Sequence, residues 1–142
     1  MNETLDKKLV DKYPKIFRDR YAPMTHTAMC WGFDCSDGWY NIINTLCHQI
    51  QSHIDFTNSQ RESLIKNNPY NHPIPDKVAQ VIASQVKEKY GTLRFYVDGG
   101  DAVTDGMIRM AEALSEVTCE ICGTPGEISD NGWVRVRCEG HR

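Results

Sequence analysis

Three of the six cysteines and one of the five histidines of this chain lie in its last segment, "TCEICGTPGEISDNGWVRVRCEGHR". They form two close pairs, Cys119-x2-Cys122 and Cys138-x2-His141, with fifteen residues between the pairs. A Cys-x2-Cys pair on a tight turn directs both sulfurs to one side of a metal ion, and zinc prefers cysteine and histidine ligands in a tetrahedron. The spacing therefore predicts one zinc ion held by Cys119, Cys122, Cys138 and His141.

The residues between the two pairs have to return the chain to the same point. Asn131-Gly132 is a strong signal for a two-residue hairpin turn, and the flanking "GEIS" and "WVRV" segments are typical of strands. Four protein ligands leave no open position for water, so the predicted zinc is structural rather than catalytic. So short a ribbon has little apolar core, and metal binding would supply on the order of 10 kcal/mol of its folding free energy. Iron, or burial of the cysteines without a metal, are the alternatives that the spacing leaves open.

The other cysteines lie in the first half of the chain and are less regularly spaced. A second metal site would draw on His26, Cys30, Cys35, and Cys47 or His48. The spacing of Cys30 and Cys35 is loose, and Cys47 lies beside an apolar helical stripe, where cysteine is usually buried. Burial is therefore the favoured explanation, and no local motif supports a nucleophilic Cys-His pair.

A group of carboxylates surrounds Gly99-Gly100. Asp98, Asp101 and Asp105 are close in sequence, but their pattern does not match a calcium-binding loop. A strand-to-helix turn, in which an aspartate caps the helix, explains them without a metal.

The segment "QVKEKYGTLRFYVDGG" alternates apolar and polar residues and predicts a β-hairpin with an even-length loop at Tyr90-Gly91. The cross-strand pairs expected in that register are Gln85 with Tyr96, Lys87 with Arg94, Val86 with Phe95, and Ser84 with Val97. One surface would then collect Lys87, Lys89, Arg94 and Tyr96, a set that can bind a phosphate, a nucleotide or an acidic partner surface. A solvated sheet face without a ligand is the alternative.

Helical and strand patterns together predict an α+β fold with N-terminal helices, a central β-hairpin, a further helix and a C-terminal zinc-ribbon hairpin. Helices are expected in residues 3–20 with a break at Pro14, from an N-cap at Asp37, and over 104–117. A polar connection is expected over 55–76. Residues 76–90 fit a helix or a strand, and a strand over 82–89 is favoured. We expect an α+β domain at 1–117 and a ribbon, residues 118–142, docked on it, since only Thr118 separates the last helix from the first ligand.

Composition limits the classes of function. A chain of 142 residues, 40% hydrophobic and 25% charged, fits one folded domain. Its net charge is −3, whereas a generic nucleic-acid-binding protein is more often basic. No apolar run approaches membrane-spanning length, and the charged N-terminus lacks a secretory signal. We therefore expect a cytosolic protein with reduced thiols and no membrane partner.

The segments "CSDGWYNII", "QVKEKYGTLRFYVDGG" and "TCEICGTPGE…GWVRVRCEGH" resemble a family of small bacteriophage and prophage proteins with a C-terminal zinc ribbon. The match is scattered over residues 35–141 and leaves the N-terminal residues uncovered. The resemblance implies a phage accessory protein that acts in the bacterial host cytoplasm, and it supplies no catalytic residues.

Composition, motifs and resemblance together favour a zinc-stabilised binding protein that engages a host protein, for example one of host defence, or a phosphorylated ligand. One alternative is a nucleic-acid-binding zinc ribbon, because Trp133, Arg135, Arg137 and Arg142 make the ribbon locally basic. The other is an enzyme acting on nucleotides. An enzyme is less favoured, since the sequence contains no recognisable nucleophile–base pair, open metal site or phosphate-binding loop.

Overall fold

The computed structural model describes residues 1–129 and 132–142 and has the α+β fold that the sequence predicts. In chain order the elements are α1 (Glu3–Lys12), β1 (Phe33–Asp34), α2 (Tyr40–Lys66), β2 (Ala79–Lys89), β3 (Thr92–Gly100), α3 (Ala102–Ser115), β4 (Glu127–Ser129) and β5 (Arg135–Arg137). Short 3-10 helices occupy Ala28–Trp31, Asp37–Trp39 and Glu139–His141. β1, β2 and β3 form one sheet in that order, and β4 and β5 form a second, separate sheet.

The central hairpin confirms the strand interpretation of residues 82–89 and most of the expected register. Tyr90 and Gly91 both have positive φ, 53° and 80°, as a two-residue turn between twisted strands requires. Three of the four expected pairs are present: Gln85 with Tyr96, Val86 with Phe95, and Lys87 with Arg94. The pairing of Ser84 with Val97 is wrong, because the register shifts between residues 83 and 85 and places Ala83 opposite Val97. Such a bulge adds one unpaired residue to a strand.

The second helix differs from its prediction at both ends. Asp37 is not its N-cap: the carboxylate accepts hydrogen bonds from the backbone and side-chain nitrogens of Asn2, at 2.7 and 2.8 Å, and α2 begins at Tyr40. The helix then continues through most of the segment expected to be a polar connection. Asn58 exchanges hydrogen bonds with the backbone of Val78, so side-chain contacts to the chain before β2 hold this polar extension in place.

The third helix begins as the sequence indicates. Asp101 caps it by accepting a hydrogen bond from the Thr104 backbone N–H at 2.9 Å, and the Asp101 backbone N–H donates one to the Thr104 hydroxyl at 2.8 Å. This reciprocal pair satisfies two N–H groups at the helix start. Asp101 is therefore accounted for by helix capping, and Asp105 lies in the first turn of α3. α3 covers Ala102–Ser115 and ends two residues before the predicted end.

The core lies between the inner face of the three-stranded sheet and the helices. Its largest fully buried side chains include Trp39, Phe17, Leu9, Ile43 and Leu93. Phe17 packs edge-on against Phe33 and Phe95, with ring centroids 5.0 and 6.3 Å apart. This packing fixes which face of the hairpin is buried and leaves the other face for solvent. Among the described residues, no helix combines the length and apolar character needed to cross a membrane.

Candidate metal centre

The four predicted ligands come together in the structure. The ligand atoms of Cys119, Cys122, Cys138 and His141 all lie within 4.8 Å of one another. The Cys122 and Cys138 sulfurs are 3.7 Å apart, and His141 Nδ1 lies 3.7 Å from the Cys119 sulfur and 3.1 Å from that of Cys138. In a tetrahedron with a metal–sulfur bond of about 2.3 Å and a metal–nitrogen bond of about 2.0 Å, the sulfurs are about 3.8 Å apart and sulfur and nitrogen about 3.5 Å. These three distances are compatible with a tetrahedral metal site.

Two tight turns position the ligand pairs. In the first, Gly123 donates a hydrogen bond to the Cys119 carbonyl at 2.8 Å, and Cys119 donates to Thr124 at 2.7 Å. Gly123 adopts a φ of +78°, a conformation that residues with a Cβ rarely adopt. In the second turn, His141 donates its N–H to the Cys138 carbonyl at 3.0 Å, which brings the imidazole back to the sulfur.

The strands β4 and β5 connect the two turns as an antiparallel pair. Glu127 lies opposite Arg137, and Ser129 lies opposite Arg135. The hairpin expected between the ligand pairs is therefore present in the described residues. Asn131, the first residue of the expected turn, lies outside them.

The electrostatic environment favours the ligand form of the thiols. Burial raises the pKa of the Cys119 thiol, but backbone N–H groups of the two ligand turns outweigh burial and lower this pKa to about 6. Hydrogen bonds from the Thr124 hydroxyl and backbone lower the pKa of Cys122. The hydrogen bond to Cys119 raises the pKa of His141. Because the thiolate is the species that binds metal, the hydrogen-bond donors around Cys119 and Cys122 favour the binding of a cation.

Glu120, between the first two ligands, links the ribbon to the rest of the fold. One carboxylate oxygen accepts hydrogen bonds from the backbone and hydroxyl of Ser36, each at 3.0 Å. The other accepts from Arg137 at 2.9 Å. The Trp39 indole donates to the Thr118 carbonyl at 3.0 Å. The ribbon is thus bonded to the 3-10 turn before α2, although the domain boundary at residue 117 stays a prediction.

The backbone of Gly38 lies close to the loop that carries Cys119 and Cys122. Its N–H donates to the Glu120 carbonyl at 2.8 Å. A Cβ at Gly38 would lie 2.3 Å from the Cys119 carbonyl oxygen and 2.6 Å from the Gly123 nitrogen. Sequence reasoning missed Ser36, Gly38 and Glu120 as positioning residues. In the sequence, the pair Asp37-Gly38 is the one feature that could have indicated a close backbone contact here, and it also fits an ordinary helix start.

The remaining cysteines do not join this cluster. Cys47 is fully buried, and burial raises its pKa; burial also raises the pKa of Cys35 to about 12. This confirms the burial interpretation for Cys47. Within the described ranges, no second group of metal-ligating side chains comes together around Cys30 or His26, and all six cysteines are free thiols.

The predicted basic surface lies on the outer face of the central hairpin. Lys87 and Arg94 are opposite each other, while Lys89 and Tyr96 are exposed. The inner face is buried, as expected. Arg94 is half-buried and donates a hydrogen bond to the Leu93 carbonyl at 3.0 Å. We call these four residues the basic sheet face; their role in binding stays a prediction.

Most of the ribbon's positive charge is neutralised. Arg137 is almost fully buried in its ion pair with Glu120, and Arg142 pairs with Glu127. Among residues 1–129 and 132–142, Arg135 is the ribbon arginine that no carboxylate pairs with, and it is exposed. Trp133 is also exposed, at 67%.

No protein-family model, curated protein or solved structure matches this chain. Its chemistry is therefore inferred from the site alone.

Proposed function

We propose that this protein is a zinc-stabilised binding protein whose metal holds the ribbon in its folded shape. The observation that carries the proposal is the tetrahedral spacing of Cys119, Cys122, Cys138 and His141. Three thiolates and one imidazole suit zinc better than magnesium or calcium, which prefer oxygen ligands. Four protein ligands give the ion a structural role, because no position is left for a reactive water.

Elemental analysis of protein purified without added metal tests the zinc assignment. We expect about one zinc ion per chain. Cys122→Ser should lose the metal, whereas Cys30→Ser, which changes a cysteine outside the cluster, should retain it. Stoichiometric iron would replace zinc as the assigned metal, and a folded, metal-free wild-type chain would refute the proposal.

The basic sheet face is the surface we assign to binding an anionic group, on a phosphorylated ligand or on a host protein. It is supported by the position of Lys87, Lys89, Arg94 and Tyr96 on one outer face whose reverse side is buried. Asp34 lies beside Lys87 on the neighbouring strand and reduces the local charge there. Arg94 and Lys89 are therefore the main contributors, and the guanidinium of Arg94 can bind phosphate through two parallel hydrogen bonds.

Calorimetric titration with inorganic pyrophosphate and with nucleoside triphosphates tests this surface. Loss of one charge-assisted contact should weaken binding by about 10- to 100-fold in Arg94→Ala. Arg109→Ala is the matched control, because Arg109 is an exposed arginine on α3. Binding that both variants reduce equally, or that neither reduces, would contradict the assignment. Hydrolysis of the nucleotides would instead favour the enzymatic alternative.

The place of action that we propose is the cytoplasm of a bacterial host during phage infection. The resemblance of three sequence segments to phage and prophage proteins supports it. Tagged wild-type protein and the Arg94→Ala variant, purified in parallel from infected cells, should differ in the molecules that co-purify with them. If a host protein or phosphorylated molecule is bound equally by both, another surface is responsible.

A further inference from the structure

Two exposed aromatic side chains meet where the central hairpin contacts the ribbon. Tyr90 is 74% exposed and Trp133 is 67% exposed. Together with Gly132 and Val134 they line one cavity of about 230 Å³. Tyrosine and tryptophan bring a large apolar area to any contact they make, so two of them left open around one cavity indicate a surface shaped for a flat apolar group.

The contact between the two hairpins depends on Gly91 at the turn of the central hairpin. A Cβ at this position would lie 3.0 Å from a methyl carbon of Val134 and 3.3 Å from the Arg135 nitrogen. The absence of a side chain lets the ribbon strand approach the turn. The juxtaposition of Tyr90 and Trp133 is therefore a product of packing between two hairpins.

Two cations lie next to the residues that line this cavity, and one carboxylate, that of Glu88, accepts a hydrogen bond from the Gly91 N–H at the same turn. The Lys89 ammonium lies 5.6 Å above the Tyr90 ring centroid, and Lys89 is also a member of the basic sheet face. Arg135 is exposed on the ribbon strand beside Val134. Among residues 1–129 and 132–142, no carboxylate forms an ion pair with Lys89, Arg94 or Arg135.

We propose that this surface, which we call the hairpin-tip surface (Lys89, Tyr90, Arg94, Trp133 and Arg135), binds single-stranded nucleic acid. Bases would stack on Tyr90 and Trp133, and the cations would bind the phosphates. Aromatic platforms combined with positive charge are how proteins bind single strands without strong sequence preference. The inference deepens the proposed function and rests on it, because Lys89 and Arg94 belong to the basic sheet face.

The net charge of −3 does not oppose this surface. At physiological salt, charges further than about 8 Å from a bound phosphate are largely screened. The groups near the cavity therefore determine the interaction, and Arg135 is the ribbon arginine that forms no ion pair with a described carboxylate, unlike Arg137 and Arg142. An aromatic surface with these cations fits a strand of bases and phosphates better than an apolar protein surface.

Anisotropy titration of a labelled single-stranded oligothymidine, with the zinc-loaded full chain at several salt concentrations, tests the inference. The logarithm of the affinity should fall linearly with the logarithm of the salt concentration. Tyr90→Ala and Trp133→Ala should each weaken binding by about 5- to 100-fold without changing that slope. Arg94→Ala should reduce the slope by about 0.7, the value of one phosphate contact on a single strand.

Two variants serve as matched controls. Tyr70 is 81% exposed and Trp31 is 70% exposed, so Tyr70→Ala and Trp31→Ala remove equally exposed aromatics elsewhere and should bind as the wild type does. In a Trp31→Phe background the remaining tryptophans are Trp133 and the fully buried Trp39. Quenching of fluorescence by the oligonucleotide in that background would then report stacking on Trp133.

The outcomes separate this inference from the proposed function. If the oligonucleotide binds and Arg94→Ala weakens it, but Tyr90→Ala and Trp133→Ala do not, the basic sheet face stands and the stacking surface is refuted. If the aromatic variants weaken binding and Arg94→Ala does not, stacking on Tyr90 and Trp133 stands, and the role of Arg94 in both proposals is refuted. Absence of binding at low salt would overturn the inference and leave the surface to a protein partner.

Discussion

A methyl group at Gly38 would test whether the ribbon is packed on the fold in the way the structure shows. In Gly38→Ala the new Cβ would lie 2.3, 2.5 and 2.6 Å from backbone atoms of Cys119, Glu120 and Gly123. These atoms belong to the metal-binding loop and cannot rotate away as a side chain could. Overpacking of this kind costs roughly 1–3 kcal/mol, and loss of the hydrogen bond from Gly38 to Glu120 adds about 1 kcal/mol. The expected loss of about 2–4 kcal/mol corresponds to a melting temperature lower by about 6–12 °C.

Thermal unfolding of the zinc-loaded protein, followed by circular dichroism, measures this effect. Gly106→Ala is the matched control, because the nearest atom to its new Cβ would be a guanidinium nitrogen of Arg109 at 4.0 Å. Alanine also suits the interior of α3 better than glycine, so this control should gain up to about 1 kcal/mol. If Gly38→Ala melts within a degree or so of the wild type and keeps its zinc, the ribbon is tethered rather than docked, and the packing argument is refuted.

The remaining predictions concern the metal, an ion pair and a helix cap. Chelation of the zinc should unfold the ribbon and expose it to protease, while the helical signal of the α+β domain largely persists; joint loss of both would contradict independent folding of the domain. Glu120→Gln should lower the free energy of unfolding in urea by about 1.5–3 kcal/mol, because the nearly buried Arg137 loses its counter-charge; an unchanged urea midpoint would contradict this. Asp101→Ala should cost about 1 kcal/mol through loss of the α3 cap. Burial raises the pKa of Asp101, but the His53 hydrogen bond and backbone donors at the helix start hold it below its ordinary value of 3.8. The stabilisation from Asp101 is therefore present above that value and is lost as the pH falls through the lower folded pKa, so the variant's deficit should shrink in strong acid; a deficit that is constant with pH would contradict this.

The Cys/His cluster could be predicted because the signal for it lies within two short stretches of the sequence. Each pair lies within four residues of chain, and the spacing alone limits what chemistry the pair can do. The register of the central hairpin was predictable for the same reason, since Tyr90 and Gly91 set the pairing of the residues next to them. The register prediction is wrong only beyond the bulge at Ser84, where no sequence signal marks the extra residue.

The contacts that hold the ribbon in place could not be predicted from sequence. Ser36 and Glu120 are 84 positions apart, and nothing in the spacing of either residue indicates the other. The same holds for the polar half of α2, where Asn58 bonds to the chain before β2. In both cases tertiary hydrogen bonds determine the structure of a segment whose own composition favours a loop or a solvated surface.

The division of charge within the ribbon explains why one part of it supports the fold while another part faces outward. Glu120 pairs with Arg137 and Glu127 pairs with Arg142, and both pairs lie on the side of the ribbon that carries the metal ligands. The pair of Glu120 with Arg137 lets that arginine be largely buried without an uncompensated charge, whereas Glu127 and Arg142 remain exposed. The other end has no ligand and meets the turn at Gly91 through Val134. A metal ion bound at the first end would therefore help to hold in place the segment that carries Trp133 and Arg135 at the second.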